Sequence, residues 1–216
     1  MIKTRGIKFD YNNQVFFEFP DIEIKNRENL LIIGNSGIGK TTLLHLLAGL
    51  LESKSGSIEL FGKEISNLNS YQLDTFRGEN IGIVFQRSHF VNSLTVKENL
   101  ELAQFIANKK DNNRIDTILK SLGILDKSDK KTNQLSQGEK QRASIALAIV
   151  NSPKLILADE PTGSLDMKTA KIIFNLLKDQ KRSDRLIIFA THNRYFGNKA
   201  DCILEILNGK IKSFNG

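Results

Sequence analysis

Leu30-Leu31-Ile32-Ile33-Gly34-Asn35-Ser36-Gly37-Ile38-Gly39-Lys40-Thr41-Thr42-Leu43 passes from an apolar run, through a glycine-rich loop, into a leucine-rich stretch. The apolar run has the length expected of a strand buried on both faces. From Gly34 to Thr41 the loop fits the spacing G-x-x-x-x-G-K-[ST], and a helix is expected to follow it. Each residue type has a physical task in that spacing. Glycines let successive backbone N–H groups curl round a phosphate, and the helix N-terminus adds partial positive charge. Lys40 is suited to reach the β- and γ-phosphates of a nucleotide, and the Thr41 hydroxyl to bind Mg2+.

Working outward, strand patterns occupy residues 2–9, 15–19, 22–24, 57–61, 81–85, 154–158 and 186–190. Helical patterns occupy 42–51, 95–107, 114–122, 139–150 and 168–181. Residues 202–207 and 210–214 suggest a hairpin around Asn208-Gly209. Strands alternating with helices predict an α/β core. The helical block between about 93 and 151 reads as an inserted lobe. The sequence holds no internal repeat and no low-complexity tract.

The 216 residues suffice for one large domain with a substantial core. No stretch approaches the roughly 20 apolar residues of a membrane span, and the first residues lack a signal-peptide core, so a cytosolic location is expected. The single cysteine, Cys202, excludes an internal disulfide and a cysteine-based metal site, and its apolar run CILEIL suggests a buried thiol. A net charge of +7 invites a nucleic-acid partner, but the basic residues are dispersed and no stripe interleaves them with aromatics. Solvated surface is the better reading, and no nucleic-acid partner is expected.

A second motif completes the chemistry. Leu155-Ile156-Leu157-Ala158 reads as a buried strand ending in Asp159 and Glu160, where open α/β sheets place their ligands. Asp159 is suited to hold the hydration shell of Mg2+, and Glu160 to polarise an attacking water as general base.

Leu135-Ser136-Gln137-Gly138-Glu139-Lys140-Gln141-Arg142 precedes that strand and resembles the signature motif of ABC ATPases. Other elements follow in the order of that family. Gln86 resembles its Q-loop glutamine, Ser164-Leu165-Asp166 its D-loop, His192 its switch histidine, and Tyr11 the aromatic that stacks on adenine. The resemblance runs through essentially the whole chain. It implies a P-loop NTPase (RecA-like) core of residues 1–87 and 152–216, with an N-terminal antiparallel β subdomain. Residues 88–151 would form an inserted α-helical subdomain carrying the signature, within a single ABC ATPase domain.

The same resemblance implies that ATP and Mg2+ are bound. Nucleotide contacts would come from Tyr11, Asn35, Ser36, Gly37, Ile38, Gly39, Lys40, Thr41 and Thr42. Across a head-to-tail homodimer formed on ATP binding, Ser136, Gln137, Gly138, Glu139 and Asp166 would complete the partner's site. Glu160, His192, Lys40 and Gln86 are the implied catalytic group; Thr41, Gln86 and Asp159 are the implied Mg2+ set. Alternatives stand beside several of these. Ser136 with Glu139 is also a plain capping box, Asp166 equally suits a helix cap, and Phe9, Phe16 and Phe17 compete with Tyr11 for the aromatic role. Gln137 and Glu139 depart from the family's usual Gly and Gln. A carboxylate there would weaken phosphate binding unless it turned back on the Ser136 N–H.

Residues 81–86 with Leu94–Asn99, and the run Ala158–Asp166, resemble the lipoprotein-releasing, macrolide-export and cell-division branch of the family. Such an ATPase works on an integral membrane permease, peripheral to the cytoplasmic face, with residues about 88–104 in the docking region. Regulation of cell-wall remodelling at division through a membrane partner is the alternative within that branch. A GTP-binding switch is a rival, because Asn198-Lys199-Ala200-Asp201 matches N-K-x-D, though no apolar strand directly precedes it. A chromosome-maintenance ATPase would need a long heptad insert, which is missing here.

Overall fold

The computed structural model describes residues 1–11, 15–25, 28–163, 165–180, 185–193, 195, 200–207 and 210–215, with backbone alone for Val15, 206–207 and 210–215. Among these residues the strands form two sheets. In the first, β1 (Ile2–Tyr11) pairs antiparallel with β2 (Val15–Glu18), β3 (Ile22–Ile24) and β5 (Ser55–Leu60), and β5 pairs with β6 (Lys63–Glu64). The second contains β4 (Asn29–Gly34), β7 (Ile81–Val84), β8 (Leu155–Asp159), β9 (Leu186–Thr191), β10 (Cys202–Leu207) and β11 (Lys210–Asn215). Its order is β11-β10-β4-β9-β8-β7, parallel throughout except for the β10–β11 pair. The expected turn residues Asn208-Gly209 lie outside the described residues.

Every residue of β4, β8 and β9 is buried, as strands covered on both faces must be. Side chains alternate between the faces with the period of two that a strand imposes. Leu31 and Ile33 join one core with α3 (Val96–Ile106), α4 (Asn112–Ser121), α5 (Gln137–Ile149) and α6 (Met167–Asp179). Leu30 and Ile32 face the other core, made by α1 (Lys40–Leu47) and the antiparallel sheet. That first core runs without a break from the helical block to the parallel sheet.

Two glycines fix the frame around the site. Gly49, at φ 63°, ends α1 in the left-handed conformation, so the helix stops short of the expected residue 51. Gly82 lets β7 meet α5 closely, because a Cβ there would lie 2.0 Å from the Ala148 carbonyl oxygen. One helix adds to the elements expected from the sequence, and one expectation is corrected. Helix α2 (Ser70–Asn80) fills a stretch without strong apolar periodicity, burying only Phe76 and Asn80. Cys202 is half-buried rather than buried, with its Sγ 3.9 Å from a Glu28 carboxylate oxygen.

Candidate active site

The parallel sheet brings the C-terminal ends of β4, β8 and β9 together, since β4 and β8 both flank β9. Their following residues therefore converge. Lys40, only 6% exposed, donates from Nζ to the Gly34 carbonyl at 2.8 Å and the Asn35 carbonyl at 2.9 Å. The loop thus curls back over its own lysine, which also stands 3.6 Å from Glu160 Oε1. Asn35, Ser36 and Gly37 are exposed along the loop, Ile38 packs partly against the core, and Gly39 caps the start of α1. The Tyr11 hydroxyl lies 3.2 Å from Thr42 Oγ1, which ties β1 to the first turn of α1. Tyr11 meets Phe9 edge-on at 4.8 Å and Phe17 at 6.3 Å, and it remains 44% exposed.

Thr41 donates its hydroxyl to Asp159 Oδ2 at 2.7 Å. Asp159 Oδ1 is buried without a hydrogen-bond partner, an arrangement that costs free energy unless a cation or its water completes the site. Burial raises the Asp159 carboxyl above its ordinary range, and the negative charge of Glu160 adds to the effect. The Thr41 hydrogen bond, His45 and Lys40 pull the other way. Thr41 and Asp159 therefore fit a hard divalent cation with oxygen ligands, the remaining oxygens coming from phosphates and water. Among the described residues no three His, Cys, Asp or Glu side chains gather into a cation site of their own.

Glu160 is the most constrained group in the site. Its backbone takes a left-handed φ of 44°, rare for a residue with a Cβ. Its N–H donates to the Ala190 carbonyl at 2.8 Å, and its carbonyl accepts from Gly163 N at 3.1 Å. The carboxylate accepts from the His192 N–H at 3.0 Å and the Thr191 hydroxyl at 3.1 Å, and His192 Nδ1 lies 2.9 Å away. His192 thus sits against the Glu160 carboxylate, at the end of the neighbouring strand. Thr191 was absent from the sequence-level candidates; its place beside His192 was the available signal.

A second group forms at the start of α5. Ser136 Oγ accepts from the Glu139 N–H at 3.3 Å, and Glu139 Oε2 accepts from the Ser136 N–H at 2.8 Å. Glu139 has turned back on its own helix, and it also stands 3.5 Å from Lys127. Gln137 is exposed at the first turn, and Gly138 faces Thr169 of α6. Asp166 caps α6, accepting from the N–H groups of Lys168 and Thr169 and from the Thr169 hydroxyl. Ser164 lies outside the described residues. Among the described residues, no hydrogen bond or ion pair joins this group to residues 34–42. Gln86 is exposed just beyond β7, on a cleft it shares with Gln137.

Of the N-K-x-D stretch, Ala200 and Asp201 are described. Asn198 and Lys199 lie outside the described residues, while Asp201 accepts from the Asn29 N–H at 2.8 Å. That contact sits at the N-terminal end of β4, opposite the loop.

Residues 19–163 match the ABC transporter family. The chain belongs to that family. The ABC chain is 39% identical to the lipoprotein-releasing system ATP-binding protein LolD of Wigglesworthia glossinidia brevipalpis, over 98% of this chain and 94% of that protein. It is 37% identical to the macrolide export ATP-binding/permease protein MacB of Mannheimia succiniciproducens, over 88% of this chain and 30% of that one. Its fold matches the ATP-binding cassette MJ0796, solved as a dimer in a post-hydrolysis state with ADP and Pi. That match has a TM-score of 0.88 and 28% identity, and covers 100% of both chains.

Proposed function

We propose that this ABC chain is the ATP-binding and ATP-hydrolysing subunit of a transporter, pairing head-to-tail with a second copy on ATP binding. The pair drives a separate integral membrane permease from the cytoplasmic face, in an exporting or lipoprotein-extracting system. The observation that carries this reading is the division of the site within one chain. The loop, carboxylates and histidine form one group, while Ser136, Gly138 and Asp166 form another, with no polar contact to the loop among the described residues. A two-fold pairing joins each loop to the other chain's helix start. Among the described residues no helix is long and apolar enough to cross a membrane.

The chemistry follows from the residues present. Lys40 exchanges its loop carbonyls for phosphate oxygens and offsets the charge that develops during transfer. Glu160 takes the proton of the attacking water, held in orientation by Thr191 and His192. Thr41 and Asp159, with Gln86 beyond β7, would hold Mg2+, which supplies charge neutralisation at the β- and γ-phosphates. Tyr11 offers an exposed ring at the first turn of α1 for the adenine base. Residues 88–151 act as the helical lobe that meets the permease.

The test is Glu160→Gln. It should bind ATP, accumulate as a closed ATP-bound dimer on gel filtration, and lose turnover by about a hundredfold or more. Undiminished ATPase activity would remove Glu160 from the role of base. Lys40→Ala should instead lose nucleotide affinity and turnover together.

A further inference from the structure

In the proposed pairing the start of α5 meets the terminal phosphate held by the other copy, yet it carries an acidic side chain. The capping box occupies the Glu139 N–H, and among the described residues the N–H groups of Gln137 and Gly138 have no hydrogen-bond partner. Glu139 Oε2 accepts from the Ser136 N–H, so the carboxylate lies at the helix start itself. One helical turn is about 5.4 Å long, and charges are largely screened only beyond about 10 Å at 0.1 M salt. A bare carboxylate there would oppose the phosphate that Gln137 and Gly138 are placed to meet. The other oxygen is engaged as well: Oε1 lies 3.5 Å from Lys127 Nζ.

The segment that presents Lys127 is held from two sides. Leu125–Lys127 forms a short helical turn after α4. The Val96 N–H of α3 donates to the Lys130 carbonyl, and the Lys97 N–H to the Ser128 carbonyl, each at 2.9 Å. Arg142 of α5 donates to the Leu122 carbonyl at 3.0 Å, which ties the same connection to the helix that carries Glu139. Lys127 also meets Asp126 at 2.7 Å. The Asp126 carboxyl is lowered by that hydrogen bond first, and Lys130 adds to the effect, so a second cation helps to balance Asp126. The Glu139 carboxyl is lowered by the Ser136 N–H, then by the Ser136 hydroxyl, with the Lys127 charge behind them. Exposed ion pairs add little to stability. The consequence of this one is local, at the helix start.

We infer that Lys127 is a positioning residue for nucleotide binding. It holds the Glu139 carboxylate and offsets its charge, which leaves the Gln137 and Gly138 N–H groups open to the terminal phosphate of the partner copy's ATP. The assignment rests on the proposed pairing, and it names what lets this chain carry an acid in that place. A neutral glutamine at position 139 would need no such cation, so the worth of Lys127 depends on Glu139.

The test is a double-mutant cycle on the full chain, reading kcat and the half-saturating ATP concentration at one fixed chain concentration. Lys127→Met should raise the half-saturating ATP about fivefold with a much smaller change in kcat, because the bare carboxylate weakens phosphate binding in ground and transition states alike. In a Glu139→Gln background the same substitution should change it less than about twofold. Lys127→Arg should keep the wild-type value, and the effect of Lys127→Met should shrink at high salt. An equal effect of Lys127→Met in both backgrounds, or none in either, would overturn the assignment and leave the pairing standing. A matching loss of thermal stability in Lys127→Met would assign the residue to folding instead. Gly138→Asp sets a further carboxylate on the same turn and should abolish turnover. Wild-type kinetics in Gly138→Asp would overturn the pairing, and the assignment with it.

Discussion

Thr191 shows how much of the active site depends on a residue without chemistry of its own. Its hydroxyl donates to Glu160 Oε2 and accepts from the Asn193 N–H, so it ties the Glu160 carboxylate to the segment that carries His192. Thr191→Val should lower kcat about tenfold with little change in KM for ATP, because it misorients the carboxylate and leaves the phosphate loop intact. Thr191→Ser should restore most of the rate; a matching loss in both variants would assign Thr191 to packing alone. Asp159 makes the opposite trade. Burial raises its carboxyl, so the native state holds the proton more tightly than the unfolded chain does. Stability is then lost as pH rises above the ordinary carboxylate range. Asp159→Asn should therefore melt higher than the wild type at pH 7, with the gap closing towards pH 4, while its ATPase activity disappears. A lower melting temperature at pH 7 would show that the ionised carboxylate is satisfied within the chain.

The helix starts reveal which elements were legible and why. Ser136 with Glu139 forms the capping box that its spacing predicts for α5, and Thr95 with Glu98 forms another at the start of α3. Ser136→Ala should cost about 1 kcal/mol of stability in chemical denaturation. The Ser136 backbone N–H, then its hydroxyl, holds Glu139 below the ordinary carboxylate range. The support it gives is present above that range and fades as pH falls through the lowered value, so Glu139→Gln should flatten the acid limb of a stability-versus-pH curve. Helix α2 escaped because propensity and periodicity, not chemistry, were the only guides. Its single large buried side chain, Phe76, makes no stripe, and Tyr71 is exposed. The Asn69–Gln72 capping box was the signal available. The phosphate loop and the Asp159–Glu160 pair were legible for a different reason: a few residue types at fixed spacing suffice for phosphate and water chemistry. Thr191 on Glu160 became visible only once the sheet had brought distant segments together.

At the scale of the whole molecule, the proposed pairing makes the loop and the start of α5 two halves of a site shared between copies. Among the described residues the loop side and the Ser136 side have separate polar networks, and in the proposed head-to-tail pair each composite site would take one half from either copy. This geometry predicts complementation between lesions in opposite halves. Lys40→Ala damages the loop half, and Gly138→Asp places a carboxylate at the start of α5, where a new Cβ would lie 3.4 Å from Thr169. Each variant alone should be nearly inactive, because both sites of its dimer carry the lesion. In a mixed dimer both lesions fall in one site and the other is intact. Equal mixing should therefore recover ATPase activity towards about a quarter of wild type, since half the dimers are mixed and each has one sound site. A chain carrying both substitutions, mixed with wild type, should instead yield mixed dimers with no intact site. That mixture should also keep about a quarter of wild-type activity, all of it from wild-type homodimers. Near-zero activity in the first mixture with about half in the second would instead place loop and helix start in the same chain's site and exclude the head-to-tail arrangement.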